Sequence, residues 1–240
     1  MNDSTRYALY LAPTPESDLW RFGSQVLGRD AASGDRVDGF ALDGYDLDTW
    51  RSVVAEPSRY GFHATLKAPF RLNAASSVRD LEARVAAIAR KIEPFDAGPL
   101  RVSTFPAGEG RAFVALRPAS RSDELARLEA SLVRELDSFR APLTAAEVRR
   151  RAPERLSPRQ RYYLDAWGYP FVLDEFRLHF TLTGAVVAFE TILAKLAAEF
   201  ERRVSTPTLW VDSLALFAQP NAGDDFRVVE RFSLLGNVAD

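Results

Sequence analysis

The chain has 240 residues, with 31 Lys and Arg against 33 Asp and Glu, a formal net charge of −2, two histidines and no cysteine. The near balance of charge excludes a whole-molecule field that draws the protein onto polyanions, and the lack of cysteine excludes a disulfide framework, a thiol nucleophile and cysteine-ligated zinc. Hydrophobic content of 47% and charged content of 27% are those of an ordinary globular protein. The apolar run at residues 7–12 stops at Pro13 and lacks the basic flank and long apolar stretch of a secretory leader. No run approaches the roughly 18 apolar residues of a membrane span, so a cytoplasmic protein with no membrane partner is expected.

In chain order, residues 6–12 read as a strand, and Thr14-Pro15 as the N-cap and first position of a helix ending near Gly28. A Gly-, Asp- and Ser-rich loop covers residues 29–44, and Asp46 or Asp48 caps a short helix expected to stop before Pro57. A strand at 60–67 follows. Val78, Leu81, Val85, Ile88 and Ile92 then recur at helical spacing behind Ser77. Strands near 100–105 and 111–117 are joined through Gly108-Glu109-Gly110, and Leu125, Leu128, Leu132 and Leu136 mark the next helix. Thr144 with Glu147, and Ser157-Pro158 with Gln160, open two short helices closed by Gly168. A strand at 176–183 precedes a helix carrying Phe189, Ile192, Leu193, Leu196 and Phe200, and strands near 208–217 and 226–235 complete the chain. The order strand, helix, strand, strand thus occurs twice, which predicts one duplicated, bilobal α/β domain over residues 1–240.

The two strands that head these repeats carry the only histidines, each in the same pattern: His63-Ala64-Thr65-Leu66 and His179-Phe180-Thr181-Leu182. Side chains two apart share a strand face. Phe62, Ala64 and Leu66 therefore share an apolar face, while Gly61, His63, Thr65 and Lys67 share the other. In the second strand Phe176, Leu178, Phe180 and Leu182 are apolar and Arg177, His179, Thr181 and Thr183 polar. Two imidazoles can act as general base and general acid near neutral pH, and two threonine hydroxyls can donate to an oxyanion. A phosphodiester fits this set, with non-bridging oxygens to hold, a nucleophile to deprotonate and a leaving oxygen to protonate. No metal or other cofactor is needed.

At these residues the chain resembles the two-histidine (2H) phosphoesterase superfamily, whose signature is a pair of H-x-[ST]-x strands. The resemblance extends to Arg59-Tyr60-Gly61-Phe62 before the first motif and Lys67-Ala68-Pro69-Phe70 after it, to Trp167-Gly168-Tyr169-Pro170-Phe171 before the second, and to the opening Arg6-Tyr7-Ala8-Leu9-Tyr10. These stretches are similar to a bacterial branch of unassigned function, DUF1045-like, often encoded beside phosphonate-degradation genes. The resemblance implies a LigT-like, pseudo-twofold α/β (α+β) fold with two central antiparallel sheets flanked by helices. It further implies His63 and His179 as acid and base, and Thr65 and Thr181 as phosphate ligands.

Lys67 and Arg177 lie on the polar faces as candidate counter-charges for phosphate. Tyr10, Tyr60, Trp167 and Tyr169 are candidates to stack on a base, and Arg59 and Arg111 are weaker candidates. Thr183 is read as structural. The run from Arg149 through Arg150, Arg151, Arg155 and Arg159 to Arg161 reads as solvated helix surface, with contact to RNA or a phosphorylated substrate as the alternative. Neither a G-x-S-x-G elbow nor a dinucleotide fingerprint is present. Asp174 and Glu175 lie near His179 in sequence, but a hydroxyl stands where a second metal ligand would be expected. The expected activity is opening of a small cyclic phosphodiester, a nucleoside 2′,3′-cyclic phosphate or a ribose cyclic phosphate. The competing readings are a non-catalytic protein binding RNA ends or nucleotides, and RNA end-joining.

Overall fold

Residues 4–37 and 40–236 are described by the computed structural model; the ends of the domain expected over 1–240 lie outside them. The strands are β1 (Arg6–Leu11), β2 (Ala64–Arg71), β3 (Phe95–Gly108), β4 (Arg111–Pro118), β5 (Phe180–Thr181), β6 (Thr208–Val211), β7 (Ser213–Gln219) and β8 (Arg227–Ser233). The α-helices are α1 (Asp18–Leu27), α2 (Leu47–Ser58), α3 (Val78–Ala89), α4 (Asp123–Glu135), α5 (Ala145–Arg150), α6 (Pro158–Trp167) and α7 (Phe189–Arg203). Among the described residues no helix is long and apolar enough to cross a membrane.

The strands form one eight-stranded antiparallel sheet in the order β6-β3-β4-β5-β2-β1-β7-β8. The two expected sheets are its two four-stranded halves, which meet where Ala64 of β2 opposes Phe180 of β5. The duplication shows in the connectivity: β1-β2-α3-β3 and β4-β5-α7-β7 run in the same order. Each unit hands its last strand to the other, β3 pairing with β4 and β7 with β1. Neither half-sheet can therefore close without chain from both units. The strand expected at 208–217 is divided at Asp212, whose carbonyl accepts from Leu234 N–H at 2.7 Å, so that β6 joins β3 while β7 joins β1.

Every α-helix start but that of α7 follows a side-chain cap, with two departures from the expected boundaries. Helix α1 is capped by Ser17, whose Oγ accepts from Trp20 N–H at 3.1 Å. Thr14-Pro15 instead forms the preceding turn, with the Thr14 carbonyl accepting from Ser17 N–H at 3.0 Å, because proline's fixed φ suits a turn's second position. Asp46 caps α2, and the expected capping boxes form at Thr144 with Glu147 and at Ser157 with Gln160. Pro57 does not end α2 but lies inside its last turn. Its missing N–H leaves the Val53 carbonyl without a helical partner. Gly184 N–H, just past the second motif, donates to that carbonyl at 2.8 Å.

Beneath the seam the predicted apolar faces are buried. Phe62 and Phe180, both 0% exposed, stack with centroids 5.0 Å apart, beside Leu66, Leu178 and Leu182. Helix α1 approaches so closely that a Cβ built on Gly23 would lie 2.1 Å from the Phe62 ring. Glycine inside a helix costs about 0.5–1 kcal/mol relative to alanine, so its presence here reflects the approach. Gly23→Ala should lose about 1–3 kcal/mol of stability by overpacking, measured by denaturant unfolding; a gain in stability would show that α1 does not rest on this ring.

Candidate active site

Opposed residues in an antiparallel pair have a constant sum of positions. With Ala64 opposite Phe180, His63 therefore lies across from Thr181, and Thr65 across from His179. All four side chains project from the face opposite Phe62 and Phe180 and line a single cleft of about 450 Å³. The register thus builds one site from both repeats.

Both histidines stand one residue ahead of their strands, which begin at Ala64 and Phe180 rather than at 60 and 176. Each ring turns back on its own chain. His63 Nδ1 is 2.8 Å from the Gly61 carbonyl oxygen, and His179 Nδ1 is 2.7 Å from that of Arg177. A carbonyl only accepts, so Nδ1 carries the proton and donates, which leaves Nε2 to exchange protons. At the first site Gly61 sits at φ 76°, where an added Cβ would lie 2.3 Å from that of Ala31. Thr65 Oγ1 is 3.4 Å from His63 Nε2.

Aromatic rings hold both imidazoles. Tyr10 stacks on His63 at 3.8 Å between centroids, while Phe105 and Phe113 flank His179 at 4.8 and 5.5 Å. Burial lowers the pKa of His63 from 6.5 to about 4; the Gly61 hydrogen bond opposes the shift and the charge of His179 adds to it. His179 is also lowered by burial, against the bond to the Arg177 carbonyl. His63 is therefore neutral at neutral pH, with an unprotonated Nε2 that faces the Thr65 hydroxyl at 3.4 Å.

The remaining candidates divide. Lys67 does not share the cleft with Thr65. The β1–β2 register slips between Tyr10–Thr65 and Leu9–Lys67, and this bulge reverses the alternation. Lys67 is 4% exposed, with Nζ donating to the Val133 carbonyl at 3.0 Å and lying 3.6 Å from Asp137. Arg177 also lies outside the cleft; its guanidinium folds back onto the carbonyls of Asp174 at 2.9 Å and Phe176 at 2.7 Å. Tyr10 lines the cleft but is 1% exposed and spends a ring face on His63, so it orients the imidazole rather than stacking on a base. Tyr60 and Tyr169 line the cleft, the former stacked on Phe226 and the latter covered by the Arg151 guanidinium at 4.8 Å. Trp167 packs instead with Val133, Tyr163 and Val172. Arg59 and Arg111 face Asp225 and Glu109 at 3.9 and 3.3 Å.

Thr183 is structural: its Oγ1 accepts from Val114 N–H at 2.9 Å and donates to the Gly184 carbonyl at 2.8 Å. That substitution of a side chain for the ladder ends β5 at Thr181, two residues before the expected boundary. Pairing with β4 resumes at Ala112 and Val186, and the bulge between, Thr183 to Ala185, becomes cleft wall.

Of the basic stretch, Arg159 pairs with Asp174 at 3.2 Å, and Arg149, Arg155 and Arg161 face solvent. Arg150 and Arg151 do line the cleft, which corrects the reading of the whole run as solvated surface. Glu147 brings them there. It is both the capping-box partner of Thr144 and the partner of Arg71 at the end of β2, at 3.2 Å. Burial works against its charge, yet the bonds from Arg71 and Thr144 hold the carboxyl at about 2. Arg6, Phe105 and Phe113 are further residues at the site not singled out from sequence. Arg6 was accessible, because it lies two and four positions before Ala8 and Tyr10 on the same strand face.

With two histidines in the chain, their imidazole resonances can be followed separately by NMR. Both should titrate below 6.5 and His63 near 4; a value for His63 at or above 6.5 would contradict the burial argument. Since unfolding restores the higher pKa, the unfolded chain binds the extra proton between about 4 and 6.5. The contribution of His63 to stability should rise with pH through that window and be complete above it.

Among known proteins, the chain is 37% identical over 234 residues to "Ribose 1,5-bisphosphate phosphokinase PhnN" of Laribacter hongkongensis, an alignment that covers 96% of this chain and 52% of that protein. The chain thus spans about half the length of the curated relatives it matches. Among solved structures, TT0787 of Thermus thermophilus aligns at TM-score 0.46 and 16% identity, covering 97% of this chain and 99% of that one. Escherichia coli LigT complexed with 3′-AMP aligns at TM-score 0.41 and 14% identity, covering 96% and 98%. The family described as "Protein of unknown function (DUF1045)" matches residues 65–227, and the chain belongs to it.

Proposed function

We propose that the protein is a metal-independent phosphodiesterase that opens a small cyclic phosphodiester by two-histidine acid–base catalysis. The observation that carries this is the paired set of imidazoles in one cleft, each with Nδ1–H tied to the carbonyl two residues back, so that Nε2 is the nitrogen left for proton exchange, beside the threonines Thr65 and Thr181 of the same lining. In the scheme His63 Nε2 takes a proton from water as its oxygen attacks phosphorus. His179 Nε2–H gives a proton to the departing ring oxygen. Water is consumed, one P–O bond forms and one breaks, and the product is a phosphomonoester with a free hydroxyl. Thr65 and Thr181 donate to the non-bridging oxygens, where charge develops.

The assignment of His63 as base follows its deeper burial and stronger depression. The anionic diester, once bound, raises the pKa of His179 toward the protonated form that an acid requires. A cleft of about 450 Å³ is of the size that holds small molecules, which favours a cyclic ester over an RNA chain. The name of the Laribacter relative speaks of a ribose bisphosphate, which supports a ribose cyclic phosphate of phosphonate metabolism over a nucleoside 2′,3′-cyclic phosphate.

The test is turnover of both cyclic classes after EDTA treatment by wild type, His63→Ala and His179→Ala. Each substitution should cost about 10²- to 10⁴-fold in kcat. An undiminished His179→Ala enzyme, or no turnover of any cyclic ester by wild type, would contradict the proposal.

A further inference from the structure

We infer that the cleft contains a second anion subsite, formed by Arg150 and Arg151 of the α5 end, which binds a phosphomonoester on the same molecule whose cyclic phosphodiester meets the histidines. The inference rests on the phosphodiesterase reading above and narrows its substrate class to a phosphorylated sugar cyclic phosphate.

Elsewhere in the fold arginines are used in ion pairs. Arg71, Arg84, Arg140 and Arg159 each face a carboxylate within ion-pair distance. Among the described residues Arg150 and Arg151 have no such partner, although both line the cleft. Arg6, the third arginine of the lining, is already committed, its guanidinium donating to Gln219 Oε1. The cleft also carries two carboxylates, and neither answers the pair. Glu147 is held by Arg71 and the Thr144 cap, and Glu56 is exposed on α2.

Arg151 is placed to receive a ligand. Its guanidinium lies over the Tyr169 ring at 4.8 Å, which orients the plane while leaving the N–H edges available. The histidine end belongs to the same cleft, whose lining includes Arg151, Tyr10 and His63, with the Tyr10 ring stacked on the imidazole. A phosphomonoester carries close to two negative charges at neutral pH and three acceptor oxygens, and arginine forks match it with charge-assisted hydrogen bonds.

A nucleobase fits the same wall less well. Tyr10 is buried beneath His63, and Tyr60 and Tyr169 each have a face taken by Phe226 and Arg151. A nucleoside cyclic phosphate would meet rings that already have one face covered and would leave the two guanidinium groups facing no anion.

Two measurements test the subsite separately from the chemistry. The first compares kcat/KM for a ribose cyclic phosphate with and without a second, monoester phosphate. Wild type should prefer the doubly phosphorylated ester by about 100-fold or more, as expected for charge-assisted hydrogen bonds. The preference should collapse in the Arg150→Gln, Arg151→Gln double variant and persist in Arg155→Gln, which removes a charge of the same stretch outside the cleft. Equal turnover of the two esters by wild type, or a preference that survives the double substitution, overturns the subsite. The second titrates ribose 5-phosphate against ribose by calorimetry with wild type and the double variant. Binding of ribose 5-phosphate should weaken by about tenfold or more in the double variant; equal binding overturns the subsite even if neither ester is hydrolysed. Absence of turnover accompanied by arginine-dependent binding would instead count against the phosphodiesterase reading alone.

Discussion

Ala64 opposite Phe180 is the single residue pair that joins β2 to β5, and both histidines take their places from it. One ladder pair is a weak tether, so the register has to be set by what lies beneath. Phe62 and Phe180 stack in the core, and an offset aromatic pair contributes about 0.5–1.5 kcal/mol beyond the area it buries. A slip of one residue would exchange the faces of a strand, driving an imidazole and a threonine hydroxyl into the core and exposing phenylalanine and leucine. The apolar faces of the two motifs therefore specify the geometry of the polar ones. Placement of the imidazoles and core packing are two consequences of the same alternation.

Around this seam the fold adds supports that come from far along the chain. Pro57 withholds an N–H from α2, and the freed Val53 carbonyl receives Gly184, which fixes the bulge that follows the second motif. Glu147 joins α5 to Arg71 of β2 and so carries two arginines to the cleft wall. Tyr10 from β1 and Phe105 and Phe113 from the β3–β4 hairpin hold one imidazole each. The exchange of β3 and β7 between the repeats means that each histidine is supported by strands of both units.

The motif strands were legible because their period of two is a local property, and so was the existence of a duplication, although the repeats begin at β1 and β4, one strand ahead of the histidine strands from which the sequence counts them. The capping boxes at Thr144 and Ser157 were legible for the same reason. What escaped depends on partners distant in sequence. Lys67 follows Thr65 by two residues, but a bulge against β1 turns it into the protein, and alternation within β2 carries no sign of it. Arg177 stands two residues before His179 and spends its guanidinium on nearby carbonyls, a local fold-back that strand geometry does not foresee. Arg150 and Arg151 look like any solvated basic run until Glu147 is seen to hold Arg71, 76 residues earlier in the chain. Tyr10 was placed on the right face, yet whether it meets a ligand or an imidazole depended on the ring opposite it.

The proposed division of labour between the histidines is tested most directly by leaving-group chemistry. Two phosphodiesters differing only in the leaving group, an ordinary alcohol in one and p-nitrophenol in the other, would be compared for wild type, His63→Ala and His179→Ala. A nitrophenolate needs little protonation to depart, so the deficit of His179→Ala should shrink by about tenfold or more on that ester, while the deficit of His63→Ala stays. Equal deficits for both variants on both esters would contradict the assignment of base and acid.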